Sequence, residues 1–209
     1  MDFQALKYIY VPVEQPGATT LLLLHGTGGN EHDLLPIAKE IGSGFNILSL
    51  RGNVSENGMP RFFKRLGMGI FDEKDLTFRT HEMVSFLKEL AEKEGFDVNK
   101  MVALGYSNGA NIAGSTLVLY PDFLAGAILY RPMQPFKSIG SDLKNTLNTP
   151  VFLSNGTNDP TVNQADTLKY VEILKNAAFE VSNHNLPTGH QLTRNDILLS
   201  AEWYKKHFS

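Results

Sequence analysis

The residues Thr20-Leu21-Leu22-Leu23-Leu24 form an apolar run of strand length that stops at Gly26, Gly28 and Gly29. A run with no polar face suits a strand covered by protein on both sides, and such strands belong to parallel sheets joined by helical crossovers. Phe45 to Leu50 is a second apolar run, Met101 to Leu104, Ala125 to Tyr130 and Val151 to Leu153 read as further strands, and Val181 to Leu186 reads as the last strand. Between them the apolar spacing turns helical. Asp33 is expected to cap a helix bearing Leu34, Leu35, Ile37, Ala38 and Ile41, with Pro36 in its first turn, ended by Gly42 and Gly44. Asp75 to Glu94 presents Met83, Phe86, Leu87, Leu90 and Ala91 before Gly95. Ala110 to Leu119 reads as a buried helix closed by Pro121, and Leu168, Val171, Leu174 and Ala178 mark another. Thr193, with Asp196 three residues on, is expected to cap a last helix packed through Ile197, Ala201, Trp203 and Tyr204. Gly52 to Pro60 reads as a long loop. The alternation predicts an α/β fold: a mostly parallel central sheet with helices on both faces.

The 209 residues, with no repeat, low-complexity tract or linker, fit one domain over residues 1–209. At 42% hydrophobic and 20% charged the chain can fill a core. Its 19 Lys plus Arg against 22 Asp plus Glu leave a charge of -3, which gives no general attraction to nucleic acid or anionic lipid. The absence of cysteine removes disulfides, thiolate nucleophiles, iron–sulfur clusters and Cys-type zinc sites, and suits a reducing cytosol. Met1-Asp2-Phe3-Gln4 begins acidic without an apolar signal core, so no secretory signal is expected. The most apolar stretch, Leu117 to Tyr130, is interrupted by Pro121 and Asp122 and falls short of the roughly 20 residues of a membrane span. A soluble, cytoplasmic protein is the expectation.

Gly105-Tyr106-Ser107-Asn108-Gly109 joins a predicted strand to a predicted helix. In that context the pattern reads as a nucleophile elbow, whose flanking residues must be small because strand and helix crowd them. Taken alone it also reads as a plain βα turn with an exposed serine. A serine hydroxyl needs a base, and the base needs an acid to orient it. Asp159 follows the strand at Val151 to Leu153, at the carboxyl edge where the elbow opens, and His190 lies in the loop after the next strand. The order Ser, Asp, His is the one expected with an elbow of this kind. Singly, Asp159 before Pro160 also suits a turn former, and His190 a surface loop residue. His25 precedes the serine and is assigned a structural hydrogen bond rather than proton transfer. His184 and His190 lack the carboxylates that a metal site would add, so no metal is expected.

An acyl-transfer site also needs two N–H groups for the tetrahedral oxyanion. Asn108, after the nucleophile, supplies one, and the glycine-rich loop His25-Gly26-Thr27-Gly28-Gly29 supplies the other, from Thr27 or alternatively Gly28. Glu31 occupies the third glycine position of a dinucleotide fingerprint and no phosphate-binding P-loop motif exists, so a nucleotide site is excluded.

With these motifs in order, the chain resembles the α/β-hydrolases of the carboxylesterase/phospholipase family, which includes the acyl-protein thioesterases. The resemblance runs over nearly the whole chain through Leu21 to Gly29, Gly105 to Gly109, Gly156 to Asp159 and Gly189-His190. Arg51-Gly52-Asn53 and Asn57-Gly58-Met59-Pro60-Arg61-Phe62-Phe63 are similar to a small bacterial subgroup of carboxylesterases, some linked to hydroquinone or quinone stress. Thr27 and Asn108 stand where the thioesterase branch usually has Leu and Gln. The resemblance implies Ser107 as nucleophile, His190 as base then acid, and Asp159 as the stabiliser of the imidazolium. It implies a two-step acyl-enzyme route on small-molecule esters, with no cofactor. It also makes a homodimer the expectation for assembly.

No stretch is long enough for a large lid, so an open pocket for small or short-chain esters is expected. Met59 to Phe71 is rich in Met, Phe, Leu and Ile, which suits either an apolar pocket or plain core. Arg51, Arg61, Lys64 and Arg65 against Glu56 make this stretch basic, which suits an anionic substrate or a solvated face. Thioesterase, lysophospholipase or amidase activity would use the same residues. A noncatalytic binding protein on this scaffold is the alternative from another class. A dienelactone-type hydrolase fits less well, for want of its usual cysteine.

Overall fold

In the computed structural model, which describes residues 3–208, elements alternate along the chain. They are β1 (Lys7–Val11), β2 (Thr20–Leu24), α1 (Leu35–Ile41), β3 (Asn46–Arg51), β4 (Val54–Glu56), β5 (Met59–Arg61), β6 (Arg65–Gly67), β7 (Ile70–Phe71) and α2 (Glu73–Glu94). There follow β8 (Met101–Tyr106), α3 (Asn108–Leu119), β9 (Gly126–Tyr130), β10 (Pro150–Gly156), α4 (Gln164–Asn176), β11 (Glu180–Leu186) and α5 (Arg194–Phe208). Seven strands form one sheet in the order β1-β3-β2-β8-β9-β10-β11. Every pairing is parallel except that of β1 with β3. This is the α/β-hydrolase arrangement of a mostly parallel sheet between helical layers.

Leu21, Leu22, Leu23 and Leu24 have no exposed surface. Strand alternation divides them: Leu22 and Leu24 join the core under α2, α3 and α4, while Leu21 and Leu23 join the one under α1 and α5. Burial of each contributes about 2 kcal/mol relative to exposure. Among the described residues no helix is long and apolar enough to cross a membrane.

The structure departs from the sequence expectations in several places, among them Ala178, which lies beyond the end of α4 at φ 68°. β1 was not anticipated; it is a half-exposed antiparallel edge strand. The Gly52 to Pro60 loop contains a hairpin, β4 with β5, turned by Asn57 and Gly58 at φ of 51° and 80°. Two positive φ values in succession match the turn that joins tightly twisted strands. Asp33 does not cap α1: its N–H donates to the Asn30 carbonyl in a preceding turn, and Leu34 takes the cap position without a side-chain bond. At the start of α5 the Asp196 carboxylate accepts from both the backbone N–H (2.7 Å) and the hydroxyl (2.8 Å) of Thr193, so that hydroxyl is a donor rather than a cap acceptor.

Candidate active site

β8 runs directly into α3, and Ser107 sits at the join with φ 52° and ψ −111°, a backbone conformation that side-chain-bearing residues rarely adopt. Its N–H donates to the Tyr130 carbonyl on β9 (2.9 Å), and its carbonyl accepts from Asn111 N–H (2.9 Å). The turn is as tight as the sequence requires. A Cβ on Gly109 would lie 1.9 Å from the Leu24 carbonyl oxygen, and one on Gly105 would lie 2.5 Å from the Gly109 carbonyl oxygen. Both contacts are with backbone, so neither can relax by a rotamer change.

Asp159 lies just beyond β10 and His190 beyond β11, on adjacent parallel strands ending at the same edge. The fold brings both to Ser107. His190 Nε2 is 2.9 Å from Ser107 Oγ, and His190 Nδ1 is 2.7 Å from Asp159 Oδ2. The other carboxylate oxygen, Oδ1, accepts from Thr161 N–H (2.8 Å) and Thr161 Oγ1 (2.6 Å). Burial opposes ionisation of Asp159, but the bonds from Thr161 and His190 outweigh it and hold the carboxyl below the usual carboxylate range. Thr161 was not singled out in the sequence. Its position two residues after Asp159, across Pro160, suits an Asx-type turn and was the available signal.

A second residue missed in the sequence supports the histidine loop. Arg131, at φ 55° after β9, is buried and donates to the carbonyls of Gly189 (3.1 Å) and Gln191 (3.0 Å), on either side of His190. It also donates to Asp196 through two bonds of 2.7 and 2.9 Å, and to Thr188 Oγ1. Tyr106 OH donates to the His190 carbonyl (3.2 Å). The imidazole is therefore fixed at both its ring and its backbone. An arginine directly after a wholly apolar strand was the sequence signal for this anchor.

Of the two loop amides considered for an oxyanion, that of Gly28 is engaged by the Pro60 carbonyl (2.9 Å). The N–H groups of Thr27 and Asn108 have no hydrogen-bond partner among the described residues. The side chains of these two residues are anchored away from their amides. Asn108 Oδ1 accepts from Phe62 N–H (2.7 Å), and Thr27 Oγ1 accepts from Arg61 Nη1 (2.5 Å).

His25 braces the loop from below. Its Nε2 accepts from Gly52 N–H (3.1 Å), so the ring proton is on Nδ1, which donates to the Gly26 carbonyl (2.6 Å). Burial pushes its pKa below the usual imidazole value, which keeps it neutral. The structural role expected for His25 thus has a specific geometry. His25→Phe preserves the ring contact with Phe62 but orphans the buried Gly52 N–H, and is expected to cost about 1–3 kcal/mol in urea unfolding. Because the folded-state pKa lies below the unfolded one, the stability that neutral His25 contributes is present above about pH 6.5 and lost as the pH falls toward the folded value. The phenylalanine variant is expected to lose part of that acid sensitivity.

Ser107, His190, Thr27 and Asn108 border a cavity of about 180 Å³. Arg61, Arg65, Met68 and Phe71, from the segment of the two hairpins, border the same space. A larger cavity of about 420 Å³ adjoins it through Gly69, Phe71 and Met133 but touches neither Ser107 nor His190. The apolar residues between Met59 and Phe71 divide accordingly. Phe62 and Phe63 are core, Met68 and Phe71 line the cavity, and Leu66 is 72% exposed.

A family model described as phospholipase/carboxylesterase matches residues 9–207. The chain is 45% identical over 201 residues to the "Putative hydrolase MhqD" of Bacillus subtilis (strain 168), covering 96% of this chain and 98% of that protein. Among solved structures, the Bacillus cereus carboxylesterase superposes with a TM-score of 0.93 at 48% identity, over 97% of this chain and 95% of that one. Acyl-protein thioesterase 1 of Cryptococcus neoformans (strain JEC21) is 26% identical over 186 residues, 81% of this chain and 78% of that protein.

Proposed function

The chain belongs to the phospholipase/carboxylesterase family of hydrolases, and from that membership we propose that it is a serine carboxylesterase acting on small or short-chain carboxylic esters, as one catalytic domain. The observation that carries the reading is the unbroken chain of hydrogen bonds from Ser107 Oγ through the His190 ring to Asp159. As Oγ attacks the ester carbonyl carbon, His190 Nε2 takes the hydroxyl proton, and the ionised Asp159 stabilises the imidazolium. The carbonyl oxygen gains the negative charge and receives the free amides of Thr27 and Asn108. His190 then gives its proton to the alkoxide as the C–O bond breaks, leaving an acyl-serine. Water, deprotonated by His190, attacks that acyl group, and the proton returns to Ser107 as the acid departs.

The cavity that Ser107 itself borders supports the chain-length preference, since at about 180 Å³ it is below the roughly 300 Å³ from which binding sites for larger ligands run; turnover of long acyl chains would require the adjoining space past Gly69, Phe71 and Met133. In a panel of 4-nitrophenyl esters, kcat/KM is expected to peak at acetate to butyrate and to fall at least about tenfold at decanoate. A peak at long acyl chains would overturn the preference. A fluorophosphonate probe, followed by peptide mapping, is expected to label Ser107; labelling elsewhere or not at all would overturn the mechanism.

A further inference from the structure

We propose that the preferred ester carries a carboxylate within a few bonds of its scissile carbonyl, and that Arg61 and Arg65 bind that carboxylate. The proposal rests on the serine-esterase reading and narrows it to a substrate class. Among the described residues, three arginines border the cavity that holds Ser107, and no aspartate or glutamate does. Arg131 is neutralised by Asp196. Arg61 and Arg65 share one carboxylate, Glu56: Arg65 Nε lies 2.9 Å from Oε1, and Arg61 Nη1 lies 3.4 Å from Oε2. Two cations against one anion leave a net positive charge at the cavity wall.

The other basic residues of the segment do not have this character. Arg51 is turned to the buried Glu31, with Nη2 to Oε1 at 3.0 Å, and Lys64 is exposed to solvent. Arg61 is only 3% exposed, so it is not part of a solvated face. A guanidinium withdrawn from water with half a counter-ion is costly to hold, and a substrate carboxylate would offset that cost. Donors remain for one. Arg61 uses Nε on the Phe63 carbonyl and Nη1 on Thr27, while Arg65 uses Nε on Glu56 and Nη1 on Met68 Sδ. Neither Nη2 group has a partner among the described residues. The bond from Arg61 to Thr27 also sets the distance, because Thr27 is the residue whose amide faces a developing oxyanion. An anion reaching Arg61 from a carbonyl at Ser107 must therefore lie only a few bonds from that carbonyl.

The test compares matched ester pairs that differ in a carboxylate. For charge on the acyl side the pair is monomethyl glutarate and methyl pentanoate. For charge on the alcohol side it is 3-acetoxypropanoate and propyl acetate. In the wild-type enzyme, kcat/KM for the charged member of at least one pair is expected to exceed that of its neutral partner by about tenfold or more. In Arg65→Gln that ratio is expected to fall severalfold, and a ratio cancels any general loss of activity. Wild-type ratios at or below one in both pairs, with Ser107-dependent turnover of the neutral esters, would overturn the anion proposal alone. A wild-type preference that Arg65→Gln and Arg61→Gln both leave intact would also overturn it. Absence of turnover of all four esters, with Ser107 unlabelled by fluorophosphonate, would remove the serine-esterase reading and this proposal with it.

Discussion

Ser107→Ala is expected to lower kcat for a short-chain ester by roughly ten-thousandfold to a millionfold. On the proposed mechanism the substitution removes the attacking oxygen, and with it the acyl-serine route. What survives is the cavity and the two free amides, which can still favour attack by water to a small extent. Stability should change little, since among the described residues the Ser107 side chain bonds only to His190, while its backbone bonds to Tyr130 and Asn111 do not involve Oγ. Alanine has no easier access than serine to a φ of 52°, so the elbow neither gains nor loses strain. The decisive comparison is kcat together with thermal unfolding. Retained activity within tenfold of wild type, in a variant that melts normally, would mean that Ser107 is not the nucleophile.

The second large effect is on stability. Arg131→Met leaves Asp196 as a buried carboxylate without its cation and is expected to destabilise the fold by about 3–5 kcal/mol. The same change frees the carbonyls of Gly189 and Gln191, so the His190 loop loses its anchor as well. Activity should therefore fall even where the variant remains folded, through misplacement of the imidazole rather than loss of a reacting group. Adding Asp196→Asn to Arg131→Met removes the uncompensated charge. That double variant is expected to recover part of the lost stability but little of the activity. Urea unfolding and kcat, measured on both variants, separate the two roles. A single variant as stable as wild type would show that the buried pair contributes nothing net.

The contrast between Ser107 and Arg131 shows which features a sequence reveals. The elbow was legible because its demands are local: a strand, two glycines at fixed offsets and a helix. Asp159 and His190 were legible because each follows a recognisable strand, and parallel strands all end at the same edge. Arg131 was not, because its value depends on Asp196, 65 residues away, and a charged residue is expected at the surface unless its partner is known. The same holds for Asp33 and Thr193. Both have cap chemistry, but Asp33 was taken into a tighter turn, and the Thr193 hydroxyl serves the carboxylate that Arg131 requires. The hairpin at Asn57-Gly58 was missed although its turn signal is present. Its flanking residues, Val-Ser-Glu and Met-Pro-Arg, lack alternation, and a proline argues against a strand. The basic character of that segment was visible in the sequence. Its division into a solvated lysine, a structural ion pair and a cavity-lining arginine pair required the packing.

The two hairpins between β3 and α2 exchange no hydrogen bonds with the central sheet's ladder, yet they supply the wall facing Ser107. They are fastened to the face that holds Ser107 at three points: Gly52 on His25, Pro60 on Gly28, and Phe62 on Asn108. Descendants of such a gene can therefore rewrite what enters by altering one contiguous stretch, provided those fastenings and the paired phenylalanines beneath them persist. On the proposed mechanism, choice of ester and bond cleavage would thereby fall to different parts of the polypeptide.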